Sequence, residues 1–386
     1  MNPSSEIDLK KLQDEGKIHD LIELLCDENP SVQRRAAQVL LNSGENAVEP
    51  LVWALGHKNI EIRKEAARLL SELKDDKATM ALIKLLKDAD PTVRREAANA
   101  LGKIKDRRSV EPLIEALSDE FSCVRWAAID ALGEIGNKKS IKYLLKALSD
   151  KDEYIRARAA RALGKLKDKS AIEPLISALR DEDPTYVGSS IAEALTMLGQ
   201  PVVEYLIQAL KDNNKKLKWR AADILGKMKA KDAVEPLINA ISDSDPEIKC
   251  AVIRALGMIK DPVAIEVVTK SLDDSNWYVR SVAVWALGEF GKEASVEPLV
   301  FALSDKHIRI EVARALGAIK SERAVAALLG ALKDEDRYFR EEAVKALAEI
   351  KDKRAIPKLK KMLENADERL KQIIENAIMK IENKSR

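Results

Sequence analysis

The chain repeats itself about every 31 residues, and that period governs what it can fold into. PTVRREAANALGKIKDRRSVEPLIEALSDE at 91–120 returns as SCVRWAAIDALGEIGNKKSIKYLLKALSDK at 122–151 and as YIRARAARALGKLKDKSAIEPLISALRDED at 154–183. Taking the residue after the V/I of each V-R pair as an anchor gives Gln33, Arg63, Arg94, Arg125, Arg156, Gly188, Lys218, Lys249, Arg280, Arg309, Arg340 and Lys371, spaced 29 to 32 residues apart. Seven residues past eleven of these anchors stands a Leu, and past the twelfth an Ile (Ile378). A fixed period of this length is the signature of a repeat array rather than of separate domains.

Each copy reads as two helices. In the first, Val93, Ala97, Leu101 and Ile104 lie on one helical face; in the second, Val110, Leu113, Ile114 and Leu117 do. No segment alternates with period two, so no strand is expected. Pro50, Pro112, Pro174, Pro236 and Pro298 fall near the start of the second helix, where a missing N–H costs little. Gly102, Gly133, Gly164, Gly226, Gly257, Gly288 and Gly317 sit inside the periodicity of the first helix, and their missing side chains would let neighbouring backbones approach. A pair of such helices cannot bury its apolar stripe alone, whereas stacked pairs bury a continuous core. The expected fold is all-α: an α-solenoid, a right- or left-handed superhelix of about 12 two-helix repeats. It spans 1–386 as a single array, with a partial capping repeat at 1–29 (a short helix near 6–14) and a capping helix at 367–386.

Composition narrows the chemistry. With 66 Lys+Arg against 64 Asp+Glu the net charge is +2, which excludes a generally nucleic-acid-coating chain. Three scattered cysteines form neither a disulfide framework nor a zinc motif. No apolar run reaches membrane-spanning length and no signal-like segment opens the chain, so a cytoplasmic location is expected. Charge is nevertheless segregated. Turns within a copy are basic (Lys105, Arg107, Arg108), while turns between copies are acidic (Asp119 and Glu120; Asp181, Glu182 and Asp183). One acid (Asp88, Asp119, Asp150, Asp274, Asp305, Asp334) precedes each basic anchor by about six residues. An inter-repeat ladder is expected, in which Arg94, Arg125, Arg156, Arg280 and Arg340 each reach an Asp or a carbonyl in the loop just before it.

The motifs V-R-x-x-A-A-x-A-L-G and A-V-E-P-L-I-x-A-L-x-D resemble HEAT repeats of the phycobilisome (PBS) lyase HEAT-like type, over about Lys17 to Ile381. The resemblance implies that second helices line a concave surface. It also brings in two kinds of enzyme, bilin lyases and deoxyhypusine hydroxylase, and the HEAT-like DNA glycosylases that bind nucleic acid along a basic edge. The hydroxylase holds iron with His-Glu pairs, but the three histidines here stand in His19-Asp20, His57-Lys58 and His307-Ile308. No G-x-S-x-G or H-E-x-x-H occurs either. No catalytic residue, cofactor or metal ligand is therefore expected, and the reading is a non-enzymatic scaffold for a protein or peptide partner, with no membrane; a lyase-like or hydroxylase-like array, or nucleic-acid binding along the basic loop edge, is the alternative.

Function in such an array sits where the repeat is free to vary. The position directly opposite the core on the second helix reads Trp53, Lys84, Glu115, Lys146, Ser177, Gln208, Asn239, Lys270, Phe301, Gly330 and Lys361. With its neighbours Tyr143, Tyr205 and Lys211 it forms the expected binding strip: Trp53, Lys84, Tyr143, Lys146, Tyr205, Lys211, Lys270 and Phe301. Tyr154, Tyr186, Tyr278 and Tyr338 recur in what read as loops. Two irregularities stand out. Gly188-Ser189-Ser190 replaces the anchor Arg, with Gly199-Gln200-Pro201 in place of the basic turn, so that interface is expected to be looser. A 29-residue spacing also shortens the loop at 305–309.

Overall fold

A computed structural model describes residue 12, residues 17–181 and residues 186–382. The short helix expected near 6–14 and the acidic turn at 182–185 fall outside the described residues. Those described form twenty-four α-helices and no strand. Long first helices such as Pro91–Ile104 alternate with short second helices such as Val110–Ala116, each pair joined by a one-turn 3₁₀ segment such as Arg107–Ser109. The chain divides into two compact units, Met1–Leu198 and Gly199–Arg386, and the boundary falls at the irregular Gly199-Gln200-Pro201 turn. Each unit is an α-solenoid of stacked pairs.

The helix boundaries follow from the loop residues. Asp90 accepts the N–H groups of Thr92 and Val93, Asp152 that of Tyr154 and Asp245 that of Glu247, each as the N-cap of a first helix. Tyr154, Tyr186, Tyr278 and Tyr338, expected in loops, instead lie in the first turns of these helices, and for Tyr154, Tyr278 and Tyr338 the cap is the Asp or Asn two residues before. Most first helices end at or beside a residue of positive φ, and at seven of these ends it is Lys (Lys74, Lys105, Lys167, Lys229, Lys260, Lys320 and Lys351, φ 51° to 61°). The N–H of Lys105 closes the helix on the Leu101 carbonyl at 3.0 Å. Asp75, Asp106, Asp168 and Asp352 then cap the following 3₁₀ turn. The basic turn of each copy is thus a helix stop in which a cation meets the negative end of the helix dipole.

Val93, Ala97, Leu101 and Leu113 are fully buried, as the periodicity requires. The first helices approach so closely that a Cβ on Gly102 would lie 2.7 Å from Ala131 Cα. The same contact recurs at Gly164 with Ala194 (2.7 Å), Gly226 with Ala255 (2.7 Å) and Gly317 with Ala346 (2.8 Å). The Gly164 contact shows no loosening on the near side of the Gly188 irregularity. A wider approach appears at the short spacing. Helix Arg309–Ile319 has 11 residues, its N-cap Ile308 offers no side-chain acceptor, and Gly288 would meet Ala315 only at 3.2 Å.

Gly102→Ala is expected to lower stability by about 1–3 kcal/mol, since overpacking against backbone outweighs a helix-propensity gain of about 1 kcal/mol. Gly330→Ala, on an exposed helix position with nothing within 4 Å, should raise it by about 0.5–1 kcal/mol. Denaturant titration of the two variants checks both signs. Lys74→Gly, relieving a left-handed φ of 54°, should also stabilise, by about 0.5–1 kcal/mol.

Candidate partner-binding face

The inter-repeat rungs are built from the anchor cations and the acidic loops. Arg94 Nη1 donates to the carbonyls of Asp88 (2.8 Å) and Ala89 (3.1 Å) in the loop before it. Its Nε and Nη2 grip Asp119 in the next acidic loop, at 2.8 and 3.0 Å. Arg63 with Asp88 and Arg280 with Asp305 repeat the arrangement, and Lys218 and Lys249 reach Asp243 and Asp274 at 2.7 Å. The contact with the loop before is thus made through main-chain carbonyls, one of the two forms expected, while the carboxylate partner lies 25 residues downstream. The upstream Asp supplies its main-chain carbonyl, while its side chain closes its own loop and serves the preceding repeat. Asp119, for example, also accepts the Phe121 N–H at 2.9 Å. Arg125, Arg156 and Arg340 make the carbonyl bonds to Asp119 (2.9 Å), Asp150 (2.9 Å) and Asp334 (2.8 Å), and 25 residues past Arg340 stands Asn365.

The first repeat departs from this pattern. Gln33 donates to the Asp27 carbonyl at 2.7 Å in place of an arginine. His57 stands in the loop position of the aspartates and accepts the Asn59 N–H on Nδ1 at 3.1 Å. Its Nε2 lies 3.3 Å from Glu23. Both His57 and His19 pack on Trp53, with ring centroids 6.1 and 5.1 Å away. Two of the chain's three histidines thus support one exposed tryptophan.

Along the second helices, Trp53 (57% exposed), Tyr205 (40%) and Phe301 (73%) project outward, and Lys84, Lys146, Lys211 and Lys270 are exposed beside them. Tyr143 differs: it is half-buried, with Lys142 Nζ 4.7 Å from its ring centroid, so it offers less free surface than its column suggested. Lys270 is bonded to Glu266 at 2.9 Å, one turn back on its own helix. Phe301 borders an open groove of about 770 Å³, floored by Leu272, Pro298 and Ala302.

Two features of the surface were missed. On the first helices, Trp126, Tyr154 and Tyr186 stand in a row with centroids 5.8 and 5.7 Å apart, and Arg158 and Arg161 lie over the two outer rings. Reading the tyrosines as loop residues hid this row. On the second helices, Glu49, Glu111, Glu173, Glu204, Glu235, Glu266 and Glu297 share one exposed column, a regularity visible in the repeat itself. Nearby, Glu134 ties successive first helices by accepting from Lys105 (2.8 Å) and Lys165 (2.6 Å), and these bonds hold its carboxyl down to about 2.

The architecture defines a class, stacked helical pairs with one face of each second helix left open. The family model described as HEAT repeats matches residues 18–88, 48–121, 79–152, 141–207, 203–288, 265–331 and 296–379, so the chain belongs to the HEAT repeats. The narrower PBS lyase type is not what that match specifies. No curated protein sequence matches the chain. Among solved structures, it is similar to Kap121p (TM-score 0.67, 14% identity, 98% of this chain and 50% of that one). It is also similar to Kap121p bound to Ste12p (0.68, 14%, 98% and 50%) and to the karyopherin Kap121p bound to the SUMO protease Ulp1p (0.68, 13%, 98% and 50%). The chain spans about half the length of these structures, and the likeness is one of fold. No described helix is long and apolar enough to cross a membrane.

Breaking a rung should be costly. Arg94→Ala is expected to lose about 2–4 kcal/mol, because Asp119 keeps its charge in a half-buried loop without its main partner. Acid should act on the same ties. A carboxyl held below its ordinary range stabilises fully above that range, and the contribution is lost as pH falls through the lowered value. For Glu134 the window runs from about 4.5 down to about 2. Thermal melts of Glu134→Gln should accordingly fall less steeply than those of the parent chain across that window.

Proposed function

We propose that this protein is a non-enzymatic scaffold that binds a protein or peptide along the open face of its second helices, which we take to be the concave side. One observation carries the reading: Trp53 and Phe301 hold large apolar rings in solvent at a position where the fold makes no demand. Neighbouring columns of Leu and Ala hardly vary, while this one carries aromatics, both charge signs and Gly. Rings with few rotatable bonds are the usual energetic anchors of interfaces. The similarity to Kap121p, described as bound to Ste12p and to Ulp1p, supports a protein-binding use of such an array. Lys84, Lys146, Lys211 and Lys270 add cations to the strip, and Tyr205 adds a third ring.

With a partner identified by affinity capture and confirmed with purified components, Trp53→Ala and Phe301→Ala should each weaken binding by about 1–3 kcal/mol. Neither should lower thermal stability appreciably, since both side chains are more than half exposed. Unchanged affinity in both variants would contradict the reading.

A further inference from the structure

The Phe301 groove has an apolar floor and an acidic surround. Leu272, Pro298 and Ala302 line it together with Asp273 and Glu297, and with Asp274 and Asp305, which are tied to Lys249 and Arg280. Arg280, the cation in its lining, is already engaged by Asp305 and by the carbonyls of Asp274 (2.8 Å) and Ser275 (3.2 Å). From this groove the exposed glutamate column runs back through Glu266 and Glu235 to Glu204, beside Tyr205. Glu297 and Phe301, four residues apart, lie on one helical face. Between 203 and 304 the exposed second-helix face carries five acids (Glu204, Glu235, Glu266, Asp273 and Glu297) against two bases (Lys211 and Lys270). The ion pairs that Glu266 and Glu297 make, with Lys270 and Arg323, are exposed and weak.

Folding does not require this column. A glutamate in the first turn of a helix suits the helix dipole. Yet Thr79–Leu85, Ile141–Ala147 and Val325–Ala331 form equally well with Met80, Lys142 and Ala326 at the same position. The groove and the column therefore describe a docking surface whose charge complements a basic occupant. The spacing describes the occupant further. Successive repeats bring equivalent second-helix positions about 10 Å apart, which is three residues of extended chain at about 3.3 Å each.

Resting on the scaffold reading above, we infer that the 203–304 face takes an extended basic segment. Lys or Arg at every third residue meets Glu204, Glu235 and Glu266, and one apolar side chain seats against Phe301. This surface selects positive charge. Electrostatic complementarity of this kind sets specificity and salt dependence more than affinity.

The test uses the purified full chain and labelled synthetic peptides, read by fluorescence anisotropy. One peptide places Lys at every third position with a single Leu beyond the last; a second has the same composition with its lysines adjacent; a third carries Glu for Lys. The spaced peptide should bind about tenfold more tightly than the adjacent one, and the Glu peptide should not bind measurably. The double variant Glu235→Gln, Glu266→Gln should weaken the spaced peptide about tenfold, and high salt should do the same. Phe301→Ala should weaken it too, but not a version with Gly for Leu. Equal binding of all three peptides, or an unchanged affinity in the double variant, overturns the inference. If the peptides fail while a confirmed partner still loses affinity on Trp53→Ala or Phe301→Ala, the inference falls and the scaffold reading stands.

Discussion

A helix pair of this size cannot bury its own apolar stripe, so every copy depends on the contact its first helix makes with the next. That contact is closer than most helix packing. At Gly102 and Ala131, or Gly226 and Ala255, a methyl group on the glycine would reach within 2.7 Å of the neighbour's Cα. Stacking at this distance lets short, simple side chains close the core, and Ala is used throughout for the same reason. It also explains why glycine is kept inside a helix at a propensity cost of about 1 kcal/mol per copy.

With the helices fixed by packing, the acidic loops are left to set register. One aspartate does two jobs: Asp119 closes its own loop through the Phe121 N–H and accepts the guanidinium of Arg94 from the repeat before. Burial acts to raise the Asp119 carboxyl, but the bonds from Arg94 and the Phe121 N–H outweigh it and hold it below its ordinary value. The Arg94 guanidinium is correspondingly raised by its bond to Asp119. The rungs are not uniform: Gln33 donates to the Asp27 carbonyl in place of a cation, and Arg340 keeps its carbonyl bond to Asp334 although Asn365 stands where the downstream aspartate would be.

The fold was legible because the period, the Leu column and the glycines are local to each copy. The rung pairing was not, since sequence spacing makes Asp88 look nearer to Arg94 than Asp119, and only stacking brings the later loop into reach. Tyr143 was overvalued because a column position does not reveal that the neighbouring Lys142 folds over the ring. The Trp126–Tyr154–Tyr186 row was missed because the helix caps lie one or two residues earlier than the tyrosines suggested. Trp53 and Phe301 could be placed at exposed positions from periodicity alone, since a residue opposite a well-defined core face has nowhere else to go.

What remains is which face a partner chooses, and the two faces differ in kind. On the first helices Arg158 and Arg161 lie over Trp126 and Tyr186, though Trp277 and Tyr338 are exposed there, while the second helices expose Trp53 and Phe301 at the variable column. Hydrogen–deuterium exchange on a purified complex decides between them most directly. The account predicts slowed exchange in second helices Val48–Ala54 and Val296–Ala302, with first helices Ser122–Ile135 and Glu153–Leu166 unchanged. Protection confined to those first helices would contradict it.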